Sequence, residues 1–195
     1  MPHATPVAYL ARLGALDGAL AVHCVQLAGG DAATLARHVR GVALCPRSNA
    51  YLGNGSPPVE ALLREKVALG IGTDSSASNE GIDLFAEARA LQTASRSVPA
   101  SRLVRMMTLE GAAALGIDAS FGSLTAGKLA DVAVVRVGGT EDPEAAVLAK
   151  GGRGTIEAVM SAGLWRVREG RPALSSKPIE AAARRVTEKA RAALR

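Results

Sequence analysis

Residues 67–75 read Val67-Ala68-Leu69-Gly70-Ile71-Gly72-Thr73-Asp74-Ser75. An unbroken apolar run ends in a glycine, and an acid follows almost at once. A short apolar run bounded by turn residues is the pattern of a strand buried on both faces. The same pattern occurs twice upstream, in Leu20 to Cys24 and in Val42 to Cys45, the latter cut off by Pro46. Helical segments stand between and after the runs. Val7 to Leu13 reads as the end of a helix stopped by Gly14, and Asp31 as the N-cap of a helix reaching about Val39. Val59 to Arg64, Leu84 to Thr93 and Ser101 to Leu115 read as further helices, and Arg47 to Pro57 as a loop. One strand-helix unit takes roughly 25 residues, which suits a parallel (β/α) barrel or a doubly wound sheet. Polar residues follow each strand directly: His23, the Pro46 to Asn49 turn, and Asp74. Parallel α/β folds keep their sites on this rim.

The pattern changes at Phe121. Gly122 to Lys128 is a turn-rich link, and Ala130 to Val137, Thr155 to Ser161 and Trp165 to Arg168 read as strands of a separate small sheet. A helical tail follows. Residues 1–120 are thus expected to form a parallel α/β unit, 121–175 a small β-sandwich portion, and 176–195 a basic amphipathic helix.

Apolar residues make up 48% of the chain and aromatics only 3%, so a real core is available and Ala, Leu, Val and Gly fill it. The net charge is +5, and the tail from Lys177 to Arg195 supplies most of it. A basic tail suits nucleic acid. Here Ile179, Ala182, Val186 and Ala190 recur at helical spacing and no aromatics interleave, so a solvated basic face is expected and no nucleic-acid partner. No apolar stretch approaches the ~20 residues of a membrane span, and no membrane partner is expected. Two cysteines, Cys24 and Cys45, read as reduced thiols of a cytoplasmic protein.

Taken singly, a histidine after a strand is usually a hydrogen-bonded structural residue, and a Thr-Asp at a strand end an Asx turn or helix cap. As a set, His23-Cys24-Val25, Cys45-Pro46-Arg47-Ser48-Asn49, Gly72-Thr73-Asp74-Ser75 and Ala77-Ser78-Asn79 resemble the last three barrel strands of the amidohydrolase superfamily. The branch is that of the metal-dependent deaminases and chlorohydrolases, with an aminodeoxyfutalosine deaminase-like appearance. Gly122 to Asp131 resembles the family's link into its small β-sandwich. The resemblance implies an α/β fold made of the last three strand-helix units of a (β/α)8 TIM-type barrel, followed by a β-sandwich portion and a C-terminal helix.

It also implies roles. Asp74 would ligate one divalent metal, Zn²⁺ or Fe²⁺, and take a proton from water; a carboxylate suits both tasks. His23 would orient the attacking hydroxide, while Arg47, Ser48, Asn49, Ser78 and Asn79 would shape the pocket for an aminated purine or related heterocycle. The implied reaction is hydrolysis of a C–N bond that is not a peptide bond, as hydrolytic deamination. The family's metal site further needs a His-x-His pair, another histidine and a glutamate from earlier strands. No His-x-His occurs in this chain. His3 stands at the N-terminus and His38 near a helix end, and Gln26 stands where the family often has histidine. The chain therefore reads as truncated, not expected to retain the metal or activity alone. Three strands cannot close an eight-stranded barrel, so a homo-oligomer or a separate N-terminal half is expected to cover the edges. The alternative is a non-catalytic remnant acting through oligomerisation.

Overall fold

A computed structural model of the chain describes residues 4–174 and 177–193; His3, Leu194 and Arg195 lie outside the described residues. Three short strands, β1 (Leu20–Val22), β2 (Gly41–Leu44) and β3 (Leu69–Ile71), pair in parallel in the order β1-β2-β3. Val22 lies opposite Ala43, and Leu44 opposite Ile71. Helices α1 (Pro6–Arg12), α2 (Asp31–His38), α4 (Val59–Arg64), α5 (Leu84–Ala94) and α6 (Ala100–Met107) surround them. On one face Val42, Leu44 and Leu69 are sealed beneath Leu35, Leu62, Leu91, Leu103 and Met106, all but excluded from solvent. Burying each such side chain contributes about 1.5–3 kcal/mol.

The opposite face is built for close approach. A Cβ at Gly41 would fall 2.5 Å from the Cα of Ala114, and one at Gly70 would fall 3.1 Å from the Cα of Gly111. Helix α7 (Leu109–Leu115) lies across β2 and β3 at these glycines. The single helix expected from Ser101 to Leu115 is in fact two, broken at Thr108, whose backbone is non-helical and whose hydroxyl donates to Val104 O at 2.7 Å. The break swings α7 from the outer layer onto the glycine face.

Other expectations also need correction. The stretch after Pro46 is not all loop: Pro46–Tyr51 forms α3, with proline in its first turn. Asp31 is not the N-cap of α2; Gly30 takes that place with φ +86°, and the Asp31 carboxylate instead accepts from Thr5 Oγ1 (2.6 Å) and the Ala28 N–H (2.9 Å). Strand β1 is not buried on both faces. It pairs only with β2, leaving Leu20 and Val22 exposed.

Beyond Phe121, β4 (Val132–Val135), β5 (Ile156–Ser161), β6 (Leu164–Arg168) and β7 (Arg171–Pro172) form one separate antiparallel sheet in chain order, compatible with the small β portion expected there. Ala162 and Gly163, both with positive φ, turn β5 into β6 in the manner of a tight hairpin. Helix α8 (Pro143–Lys150) was not read from the sequence, although Asp142-Pro143-Glu144 is a start signal: the Asp142 carboxylate caps the Ala145 N–H at 2.8 Å. Arg89 of α5 donates to Leu148 O and Gly151 O at its end, tying this region to the parallel unit. Helix α9 (Lys177–Ala193) leaves Ile179 and Val186 exposed, so nothing among the described residues covers its apolar stripe. No described helix is long and apolar enough to cross a membrane.

Gly41→Ala drives a methyl into Ala114 and Ala68 O. Overpacking of this kind costs about 1–3 kcal/mol, expected as a lower urea midpoint with an unchanged slope; an unaltered midpoint would show that α7 does not rest on this glycine.

Candidate active site

The ends of the three strands carry the polar groups, and backbone hydrogen bonds extend the ladder just past them. The His23 N–H donates to Ala43 O, and the Gly72 N–H to Leu44 O, each at 2.9 Å. The chain then turns sharply. His23 (φ +68°), Cys24 (φ +48°) and Asp74 (φ +57°) all occupy the left-handed region. A non-glycine residue there costs about 1–3 kcal/mol and persists only where its surroundings over-determine it. Of the six described non-glycine residues with positive φ, three, His23, Cys24 and Asp74, stand together on this rim.

Their surroundings are specific. Asp74 Oδ2 accepts from Ser48 Oγ at 2.7 Å and from Ser78 Oγ at 2.9 Å. His23 Nε2 stands 3.7 Å from the same oxygen, and His23 Nδ1 pairs with Asn49 Oδ1 at 2.9 Å. The hydroxyls of Ser48 and Ser78, with the Ser75 backbone N–H, hold the Asp74 carboxyl below its ordinary pKa of 3.8, and the nearby His23 adds to this. The physical cause is hydrogen bonding to the ionised form.

The family resemblance implies that Ser48 and Asn49 shape the pocket. Both side chains are fully buried on α3 and meet the site through Asp74 and His23. Ser78 and Asn79 are buried in the loop after β3, where Asn79 Nδ2 donates to Thr73 O at 2.7 Å. Asn49 Nδ2 and Asn79 Oδ1 are buried without a hydrogen-bond partner among the described residues. Arg47 is partly exposed, donates to Gly81 O, and lies 3.6 Å from Glu80. With Ala50, Tyr51 and Asn79 these two residues border a cavity of about 310 Å³. A larger, mostly apolar hollow of about 750 Å³ lies against α7, bordered by Leu20, Ala43, Gly70, Met107 and Phe121.

One participant escaped the sequence reading. Glu87 of α5 has no exposed surface and accepts from the Arg47 N–H and from Asn79 Nδ2. A glutamate inside a helical run carries no local signal of such a role. The remaining candidates stand apart: His38 ends α2 and pairs with Asp17 at 2.6 Å, and Gln26 reaches Asn54 O. Both cysteines are free thiols, Cys45 buried and Cys24 half-buried. Burial pushes each up to about 11, helped at Cys45 by the Asp74 and Glu87 carboxylates.

A catalytic zinc ordinarily takes three protein ligands and an open position. Among the described residues no group of three or more His, Cys, Asp or Glu side chains converges as a metal site would. Asp74 is the one metal ligand the resemblance implies here, and even with His23 beside it only two such groups meet, so this chain's described residues do not by themselves fit a resident metal.

A profile of the amidohydrolase family matches residues 1–166. The chain belongs to that family. It is 43% identical over 140 residues to a 5-methylthioadenosine/S-adenosylhomocysteine deaminase of Moorella thermoacetica, covering 68% of this chain and 33% of that protein. A 5'-deoxyadenosine deaminase of Methanothermobacter thermautotrophicus is 38% identical over 139 residues, covering 67% of this chain and 32% of the other. Among solved structures, a zinc-bound adenosine deaminase from Xanthomonas campestris superposes with a TM-score of 0.90 at 31% identity, covering 96% of this chain and 46% of that one. The chain thus spans about a third of the length of the curated relatives.

Because Ser48 and Ser78 lower the Asp74 pKa, Ser48→Ala and Ser78→Ala are each expected to raise it towards the ordinary value, Ser48→Ala by more. Carbon-13 titration of the Asp74 carboxyl checks this, and an unmoved midpoint in both variants would contradict the geometry.

Proposed function

We propose that this chain is the rim-bearing portion of a hydrolytic deaminase acting on an adenine-type ring of a nucleoside. The observation that carries the reading is the juxtaposition of Asp74 and His23, both at positive φ, just past the ends of β3 and β1 on either side of β2. The names of the three relatives given above, each an adenosine-type deaminase, support it.

In this reading residues 1–120 are the last three units of a (β/α)8 barrel, 121–175 the small β portion and 176–195 an appended helix. Water attacks the ring carbon bearing the exocyclic amine; a C–O bond forms, the C–N bond breaks, and ammonia leaves. Asp74, kept ionised by the two serine hydroxyls, accepts the proton of the attacking water and returns it to the departing nitrogen. His23, steadied by Asn49, orients the water. Arg47, at the mouth of the small cavity, and Asn79 shape the pocket on that side. The family resemblance implies one Zn²⁺ or Fe²⁺ ion, but the ligands gathered here are too few, and no step is routed through it. The open edge of β1 and the apolar hollow beside α7 suit cover by a second copy or by further barrel strands. Free thiols at Cys24 and Cys45 suit a reducing, cytoplasmic setting.

The second reading is a non-catalytic subunit acting through oligomerisation, favoured by the incomplete ligand set. Ammonia release from 5'-methylthioadenosine and adenosine separates the two. It would be assayed with zinc, for the chain alone and co-expressed with the N-terminal two-thirds of the Moorella relative. The deaminase reading expects turnover in the assembled form and a loss of at least about 100-fold in kcat on Asp74→Asn; an assembled, zinc-loaded protein without turnover favours the second. Both readings expect sedimentation above the 19.9 kDa of one chain, and a monodisperse monomer would overturn the expectation that the open edge is covered.

A further inference from the structure

We infer that Glu87 is the positioning residue that sets Asp74 in its strained, hydroxyl-bonded geometry, acting from the far side of the rim through two separate arms. The inference deepens the reading of Asp74 above and rests on it for its catalytic meaning, though not for its geometry.

One arm runs through α3. Its N-cap, Cys45, offers no side-chain acceptor, so the first N–H groups of the helix lack their usual partner. Glu87 Oε2 takes the Arg47 N–H at 2.9 Å, and its Oε1 lies 3.9 Å from the Arg47 guanidinium. This fixes where α3 begins, and therefore where the next two residues point. Those are Ser48, which donates to Asp74 Oδ2, and Asn49, which meets His23.

The other arm runs through the loop after β3. Glu87 Oε1 accepts from Asn79 Nδ2 at 2.5 Å, and the same nitrogen donates to Thr73 O at 2.7 Å. Both partners of that nitrogen are acceptors, so the orientation of the Asn79 amide is determined. The Thr73 carbonyl belongs to the peptide that leads into Asp74, the residue at φ +57°. Asn79 follows Ser78, which supplies the second hydroxyl. Glu87 therefore grips Asp74 from both directions, by its backbone and by the serines that hold its side chain. A carboxylate is required: it accepts on both oxygens at once, whereas an amide accepts on one and presents N–H groups at the other. Full burial removes competing water, so losing an acceptor leaves buried donors unsatisfied, at the full cost of their desolvation.

The test compares Glu87→Ala, Glu87→Gln and, as a control on the same helix, Leu91→Ala, which opens a core cavity one turn away. Leu91 is fully buried and belongs to the apolar core. The readouts are the NMR shifts of the Arg47 amide, the Asp74 carboxyl carbon and the His23 ring at neutral pH, together with amide exchange at Arg47 and Ser78. Glu87→Ala is expected to displace all three signals and to speed both exchange rates at least about tenfold relative to core amides such as Val42. Glu87→Gln is expected to move Asp74 in the same direction while keeping one arm. Leu91→Ala is expected to lower stability with the site signals in place. If Glu87→Ala does not fold, Glu87→Gln alone decides. Asp74 and His23 signals unmoved in Glu87→Gln, or moved equally in Leu91→Ala, overturn the inference. None of these signals requires turnover, so a failed deaminase assay leaves the result readable.

Discussion

Two serine hydroxyls converge on one oxygen of the Asp74 carboxylate, and three segments of chain must be in place for them to do so. Asp74 follows β3, Ser78 lies in the loop beyond it, and Ser48 rides on α3 after β2. The parallel pairing of Leu44 with Ile71 brings the ends of β2 and β3 side by side. The glycines that admit α7, and the leucines sealed on the other face, hold that pairing. Much of the parallel unit thus serves to place one carboxylate, and the positive φ at Asp74 and His23 is the local strain that the rest of the unit offsets.

The chain's two sides differ for the same reason. The face carrying Val42, Leu44 and Leu69 is closed, whereas Leu20, Leu115 and Leu124 remain exposed around the hollow beside α7. An eight-stranded barrel has no free edge; a sheet of three strands has two. The chain superposes on just under half of a zinc-bound adenosine deaminase, and among its described residues no three metal-capable side chains converge.

Much of this was legible in the residues. Continuous apolar runs leading to His23, Cys45 and Gly72 marked the parallel strands; β2 and β3 are buried as such runs imply, whereas the edge strand β1 is not. The turn residues after them marked the rim. The Thr108 break was hidden because α6 and α7 share one helical periodicity, and only the approach of Gly41 and Gly70 explains the bend. Helix α3 was hidden by its loop-like composition, since its N-terminus is completed by Glu87 from forty residues away. Glu87 was itself hidden for the matching reason: a tertiary hydrogen bond leaves no periodic trace. The burial of Ser48 and Asn49 follows from α3 and was therefore equally out of reach.

The central claim is that Asp74 is held as an anion by its neighbours in the folded chain. Its pKa lies below 3.8 in the folded state, so its contribution to stability is present above that value and is lost as pH falls through the lowered folded pKa. Urea unfolding of the wild type and Asp74→Asn between neutral and acid pH tests this directly. The stability of wild type relative to the variant should fall on acidification through that range, whatever its sign at neutrality. A difference that stays constant from neutral pH down to acid would contradict the account.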